Sequence, residues 1–496
     1  MIFSTPVFLT VFLPLVLAVS WITAALCGLI ASRRGTERSW GPVNAFLLAA
    51  SLFFYFWGEG AGVLWLIGSV LFNAVSARIL AARSGNLWRK SWLTASVAGN
   101  LALLGWFKYS GFLASSAVKL TGLPIPVPEV ALPLGISFDT FQAMSYVVDV
   151  YRGEVKPARG IIGFACYVTM FPQLVAGPIV RYTDIALRLE KRSITVDDVA
   201  SGFRRFLCGL AKKAVIANTV AETADSVWGV IEAGHGVPAS MAWLGLICYS
   251  LQIYYDFAGY SDMAIGMGRM LGFEFKENFL HPYCSRSVRE FWRRWHISLS
   301  TWFRDYLYIP LGGSRRGTLR TCLNCLAVFG LCGLWHGAGV MFLLWGLWHG
   351  MFLMLERASG MKGPNAEGSG IIRSVAGWIY TAAVFMAGWV MFRSADFGDA
   401  SLMFRSLAGL ADASRESRAI WLACTPKMFA VMTAGIILSF PVVPAVRKAV
   451  AARCGHDGVC AGAVYAFEWI VLTFLGLVSM LFIAGGSYNP FLYFRF

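Results

Sequence analysis

Apolar runs of membrane length, separated by short clusters of arginine and lysine, set the pattern of this chain, and runs of that length read as transmembrane helices. Met1 to Ser32 holds no Lys or Arg. It lacks the basic start of a cleavable signal peptide and reads as a retained first span. Arg33, Arg34 and Arg38 follow, and the bias of positive loops toward the cytoplasm puts them inside and the amino terminus outside. Val43 to Trp57 then leads out to the nearly uncharged turn Gly58-Glu59-Gly60, and Leu64 to Ala77 returns to Arg78, Arg83, Arg89 and Lys90. Trp92 to Ala114 goes out again, and Val130 to Val150 comes back to Arg152, Lys156 and Arg159.

After Gly160 the alternation breaks. Ile161 to Val180 is apolar but has basic loops at both ends, and it contains Pro172, Gly177 and Pro178. Such a run predicts a broken or re-entrant element whose freed backbone groups are satisfied by protein or water. Ser298 to Leu311 is too short and polar for an ordinary span and predicts a second such element. Later spans are expected over Val215–Ile231, Met241–Ile265, Cys322–Leu334, Val340–Leu355, Val375–Phe392, Phe429–Val442 and Val464–Phe482. The expected fold is an all-α polytopic membrane protein, one integral unit over residues 1–496 with about ten to twelve spans. Re-entrant helices would build a funnel on the cytoplasmic side. Ser359 to Gly370, rich in Gly and Ser, reads as a surface loop between spans.

Composition agrees with the pattern: 57% of residues are hydrophobic and 14% charged, with 19 Trp and 37 Phe, where soluble domains carry about 25% charged residues. The net charge of +15 does not signal nucleic acid, because the basic residues sit in short loops between apolar runs. Membrane lipids and an anionic substrate are the expected partners. The eleven cysteines form no disulfide framework. Cys454, His456 and Cys460 lie close together, but a structural zinc needs four ligands and no second pair lies nearby, so no metal is expected.

Two of only six histidines, His296 and His336, fall where the chain reads as membrane protein. Ionisable groups there are costly and are kept mainly for function. Imidazole can accept a proton near neutral pH. The alternative for each is a histidine that bonds a carbonyl between helices. They are forty residues apart, so only a fold-back of the intervening element could pair them. His349 lies about 20 Å beyond His336 if helical and reads as structural. Around His296, Arg286, Arg289, Arg293, Arg294 and Arg304 alternate with Phe291, Trp292, Trp295, Trp302 and Phe303. This segment is either an interfacial helix gripping anionic lipid or a cationic mouth for a phosphorylated ligand. Arg293, Arg304, Trp295, Ser298 and Asp256 are the candidate donor-binding residues. Asp256 and Asp262, with Asp139 in an earlier span, either orient a histidine or line a tunnel, or else pair with basic loop residues.

Phe291-Trp292-Arg293-Arg294-Trp295-His296, Tyr308-Ile309-Pro310-Leu311-Gly312-Gly313 and Gly333-Leu334-Trp335-His336-Gly337-Ala338 resemble motifs of the membrane-bound O-acyltransferases. The resemblance extends over Leu132–Phe138, Phe171–Pro178, Asp256–Ile265, Glu277-Asn278-Phe279 and Asn489–Phe494, nearly the whole chain, and is nearest to the branch that acetylates alginate, other polysaccharides and peptidoglycan. It implies a ring of tilted spans about a thin centre, with His336 catalytic and His296 the second characteristic histidine. It also implies a bacterial inner-membrane enzyme that moves acetyl from cytoplasmic acetyl-CoA, with no tightly bound cofactor. The acceptor would be a hydroxyl of an exported polysaccharide on the other face, reached with a periplasmic SGNH-type partner. Ser314 and Val340 depart from the family's usual Asn and aromatic. A D-alanyl transferase fed by a carrier-protein thioester is the runner-up, and a proton-coupled transporter the non-enzyme alternative. No inverted repeat favours the latter, and no Gly-x-Ser-x-Gly elbow or phosphate-binding loop is present.

Overall fold

The computed structural model describes residues 2–82, 85–360, 370–454, 459–486, 488–490 and 492, and among them the chain is helical, with one isolated bridge between Gly236 and Ala413. The first helices are α1 (Leu13–Arg34), α2 (Gly41–Glu59), α3 (Val63–Ala82), α4 (Asn86–Thr121), α5 (Ile136–Arg152), α6 (Ile161–Thr169) and α7 (Tyr182–Glu190). Then come α8 (Val196–Ala211), α9 (Asn218–Glu232), α10 (Ala239–Met270), α11 (Val288–Arg294), α12 (Ile297–Phe303) and α13 (Thr318–His336). The remainder are α14 (Val340–Ala358), α15 (Ile371–Arg393), α16 (Phe397–Leu407), α17 (Ile420–Ala423), α18 (Pro426–Ser439), α19 (Val442–Cys454) and α20 (Val459–Ala484).

Among the described residues, five stretches are long and apolar enough to cross a membrane: Phe8–Arg34, Gly41–Ala82, Thr318–His336, Ile371–Arg393 and Gly462–Ala484. A sixth follows if the pair Arg415–Ala423 and Pro426–Ser439, bent by 73°, counts as one. The other expected spans fall short for physical reasons. α9 has 15 residues. α10 buries Gln252, Asp256 and Asp262 against protein, and α4 carries Arg89, Lys90, Lys108 and Lys119.

The contacts divide the chain into two compact units. One comprises Met1–Phe206 with Ser261–Lys276. Here the predicted break after Gly160 is seen: α6 stops at Thr169, and residues 170–180 continue buried but without helix. Side chains take up the freed backbone groups, as that environment demands. Ser51 accepts from the Phe171 N–H at 3.0 Å, the Tyr167 hydroxyl donates to the Val180 carbonyl at 2.9 Å, and Gln173 donates to the Tyr167 carbonyl. Gly135, at φ +78°, starts α5 so near this segment that a Cβ would lie 2.2 Å from the Leu174 oxygen, which leaves room only for glycine.

The other unit comprises Leu207–Tyr260 with Glu277–Phe496. Its centre is the hairpin of α13 and α14. Their backbones meet at Gly333 and Gly346, where a Cβ on either would lie 2.1 Å from a carbonyl of the facing helix. Small residues at a helix contact permit this approach. Trp348 of α14 donates to the Val384 carbonyl of α15 at 3.0 Å. α11 and α12 have seven residues each, and a π-helical turn, Arg304–Tyr308, follows α12. Over Ser298 to Leu311 the chain is thus a short helix that runs from α12 straight into the π turn and ends near Ile309. The Cys454–Cys460 cluster and most of the Ser359–Gly370 loop lie outside the described residues.

Candidate active site

Everything that follows lies within the second unit. His336 is the last residue of α13 and is buried, its ring edge-on to Trp335, Trp345 and Phe392 at 4.9, 5.1 and 5.3 Å between centroids. Glycine follows it and ends the helix in an extended conformation. His296 is wholly buried at the start of α12, with its ring 4.6 Å from Phe257 and 6.1 Å from Trp335. The fold therefore sets both histidines against one ring, that of Trp335. His296 has φ +43°. A non-glycine residue held in that region costs on the order of 1–3 kcal/mol and persists only where its surroundings over-determine it.

Those surroundings are polar. Asn278 Oδ1 lies 3.2 Å from His296 Nδ1, and accepts from the Ser298 N–H at 3.2 Å and the Ser298 hydroxyl at 2.9 Å. The Asn278 carbonyl also accepts from the Ile297 N–H at 2.9 Å. Ser298, a candidate for donor binding, is thus engaged in holding the His296 turn.

A narrow cavity of about 20 Å³, room for one water, is lined by His336, Asp256, Phe257, Trp295, Trp345 and Trp389, with Ile253, Phe392 and Leu492. Asp256 is ion-paired with buried Lys213, Nζ to Oδ1 2.7 Å, and accepts from the Leu492 N–H at 3.1 Å. A carboxylate so enclosed needs both its counter-ion and its hydrogen bonds. Lys213 also donates to the Pro490 carbonyl, and the Asn218 side chain donates to that of Asn489 at 3.1 Å. Asn489, Pro490 and Leu492 are thereby tied to Asp256 and its neighbours at the wall of the cavity. Trp345 is 1% exposed, and its indole N–H finds no hydrogen-bond partner among the described residues.

A second, larger cavity, 1130 Å³, is bounded by α11, α12, the π turn, α13 and α14. Arg289, Arg293, Arg304 and Arg357 are among its lining residues, and its volume suits a sizeable ligand. Along α13 it touches Thr321, Cys325, Val328 and Cys332, a stripe at spacings of three and four, and His336 is the next residue of that stripe. From Thr321 to His336 is about 22 Å of helix. Arg304 is held by its neighbour, Nε to Asp305 Oδ1 2.6 Å, so its charge is partly met. Arg289, Arg293 and Arg357 make no ion pair among the described residues. α11 is anchored at its start by two carboxylate contacts from α14: Glu356 accepts from the Val288 and Arg289 N–H groups at 2.5 and 3.0 Å. Ser287 caps the same end, accepting from the Glu290 N–H at 3.1 Å.

His349 packs among Phe291, Trp292 and Trp345 at 5.2–6.2 Å, and neither ring nitrogen makes a hydrogen bond among the described residues. Sequence reading does not assign Trp345, nor Lys213, Glu356 or Leu492, whose partners lie far off in sequence. Asn278 is visible there only as part of a motif, without a role.

The family described as MBOAT, membrane-bound O-acyltransferase, matches residues 156–393. The chain is 37% identical to the probable alginate O-acetylase AlgI of Pseudomonas putida, over 100% of both chains. It is 40% identical to that of Pseudomonas aeruginosa over 82% of this chain and 75% of the relative. To the peptidoglycan O-acetyltransferase of Helicobacter pylori it is 30% identical over 83% of this chain and 80% of the relative.

Proposed function

The chain belongs to the membrane-bound O-acyltransferase family, an O-acyltransferase in a multi-pass membrane protein, and from that premise we propose that it passes acetyl from acetyl-CoA to a hydroxyl of an exported polysaccharide. The observation that carries this reading is the arginine-lined cavity that runs along α13 as far as Cys332, one helical turn before His336. Arg289, Arg293 and Arg357 suit the phosphates of the donor, and the apolar stripe beyond them suits its uncharged thioester arm. One turn beyond that cavity, His336, which lines the small cavity, takes the proton of the acceptor hydroxyl. The oxygen attacks the acetyl carbonyl, the carbon–sulfur bond breaks, and the leaving thiolate takes up the proton held on His336, which restores the base. The indole N–H of Trp345 is a donor available to the developing oxyanion. A thioester is already activated, so this route needs no covalent serine or cysteine.

The mouth of the larger cavity faces the cytoplasm in this reading, and the whole chain forms one integral unit of about ten to twelve spans in the bacterial inner membrane. Polar and short helices such as α9 and α10 complete the count where they are covered by protein. The relatives named for alginate and peptidoglycan support a polysaccharide acceptor, reached directly or through a periplasmic SGNH-type partner. The test is acetyl release from labelled acetyl-CoA by the purified full chain, with and without a soluble polysaccharide and that partner. Turnover should depend on acetyl-CoA and fall a hundredfold or more in His336→Ala, with the variant still eluting as folded protein. Turnover only with a carrier-protein thioester would replace the donor assignment with the D-alanyl-transferase alternative.

A further inference from the structure

We propose that Asn278 is the positioning residue for His296, fixing the tautomer that carries its proton on Nδ1 and leaves Nε2 as a hydrogen-bond acceptor. The inference rests on the reading that His296 belongs to the transfer site. It is argued from one atom, Asn278 Oδ1, on which three groups converge: the Ser298 N–H at 3.2 Å, the Ser298 hydroxyl at 2.9 Å and His296 Nδ1 at 3.2 Å. A backbone N–H can only donate, so the amide atom facing it is the carbonyl oxygen and the side chain cannot be flipped. The same oxygen faces Nδ1. An oxygen acceptor requires a hydrogen on that nitrogen, and in a neutral imidazole the other nitrogen is then bare.

The serine hydroxyl does not compete. Its 3.5 Å approach to Nδ1 is longer than its 2.9 Å bond to Asn278, which takes its hydrogen. Asn278 also holds the backbone, because its carbonyl accepts from the Ile297 N–H. One buried residue therefore clamps the chain on the carboxyl side of His296 and sets the proton on its ring. With Nε2 bare of a proton, His296 can accept a hydrogen bond there and cannot donate one to an oxyanion, a role left to groups such as the Trp345 N–H.

The test is ¹⁵N NMR of the full chain in lipid nanodiscs, labelled at histidine, with His296 assigned as the signals lost in His296→Gln. The expected result is a protonated Nδ1 and a bare Nε2. Asn278→Asp, which keeps an acceptor oxygen, should preserve that tautomer. Asn278→Leu should shift the proton toward Nε2 and lower kcat by about tenfold or more while the KM for acetyl-CoA changes by less than about twofold. A proton on Nε2 in the unaltered protein, or an unchanged tautomer in Asn278→Leu, overturns the proposal. Should Asn278→Leu not fold, the unaltered protein and Asn278→Asp still decide. The tautomer is read without turnover, so a protein inactive with acetyl-CoA would sink the transfer reading and leave this one standing.

Discussion

At the scale of single residues, the site combines an imidazole with tryptophans whose polar edge is as informative as their bulk. Trp345 is enclosed, lines the small cavity with His336, and leaves its N–H unmet by any described residue. A buried donor without a partner costs on the order of 1–3 kcal/mol, and a site that forms an oxyanion recovers that cost in the transition state. Trp345→Phe keeps the ring packing against His336 and removes only the donor. We expect kcat to fall on the order of a hundredfold, with KM for the donor little changed and the thermal midpoint within a few degrees. An unaltered kcat would remove Trp345 from the chemistry. His336 was legible in the sequence because it is an ionisable group between apolar residues and glycine, the pattern that membrane burial makes costly. Trp345 was not legible, since a tryptophan on an apolar helix is ordinary until its N–H is seen to have no partner. The role of Asp256 was half legible: its carboxylate stood out, but its counter-ion Lys213 lies beyond any local spacing.

At the scale of elements, the arginine-lined wall depends on α11, a helix of seven residues that could not persist alone. Two devices hold its start: Ser287 as cap, and the Glu356 carboxylate of α14 on the Val288 and Arg289 N–H groups. The carboxylate meets both the open N–H groups and the positive end of the helix dipole. Glu356→Ala should therefore loosen the helix that carries Arg289 and Arg293, although Glu356 itself need not touch the donor. Loss of a charge-assisted contact of this kind costs about 1.5–3 kcal/mol. The expected outcome is a lower thermal midpoint and a several-fold higher KM for acetyl-CoA, with Glu356→Gln recovering part of both. A normal KM in a destabilised Glu356→Ala would separate the anchor from the donor wall. The broken elements were legible because Pro172, Gly177 and Pro178 cannot continue an ordinary span. The span count was less so: hydropathy finds helices that face lipid, and α10 buries its carboxylates among other helices.

At the scale of the whole molecule, charge and chemistry constrain one another. The net charge is +15, and Arg315, Arg316 and Arg320 stand exposed around the start of α13, the helix whose stripe passes along the larger cavity toward His336. On the proposed function, two requirements would place this end of α13 in the cytoplasm. The positive-inside bias favours it, and a donor bearing phosphates cannot cross the bilayer to reach a mouth on the other side. If both hold, a cysteine at Arg316 in a chain cleared of native cysteines resists an impermeant thiol reagent in intact cells and reacts once the membrane is permeabilised. A cysteine at Glu59, the last residue of α2, should react in intact cells. Labelling at position 316 without permeabilisation would invert the orientation and put the arginine-lined cavity on the acceptor side. Acetyl-CoA could not then be the donor, and the arginines would have to be read as a surface for an anionic polymer.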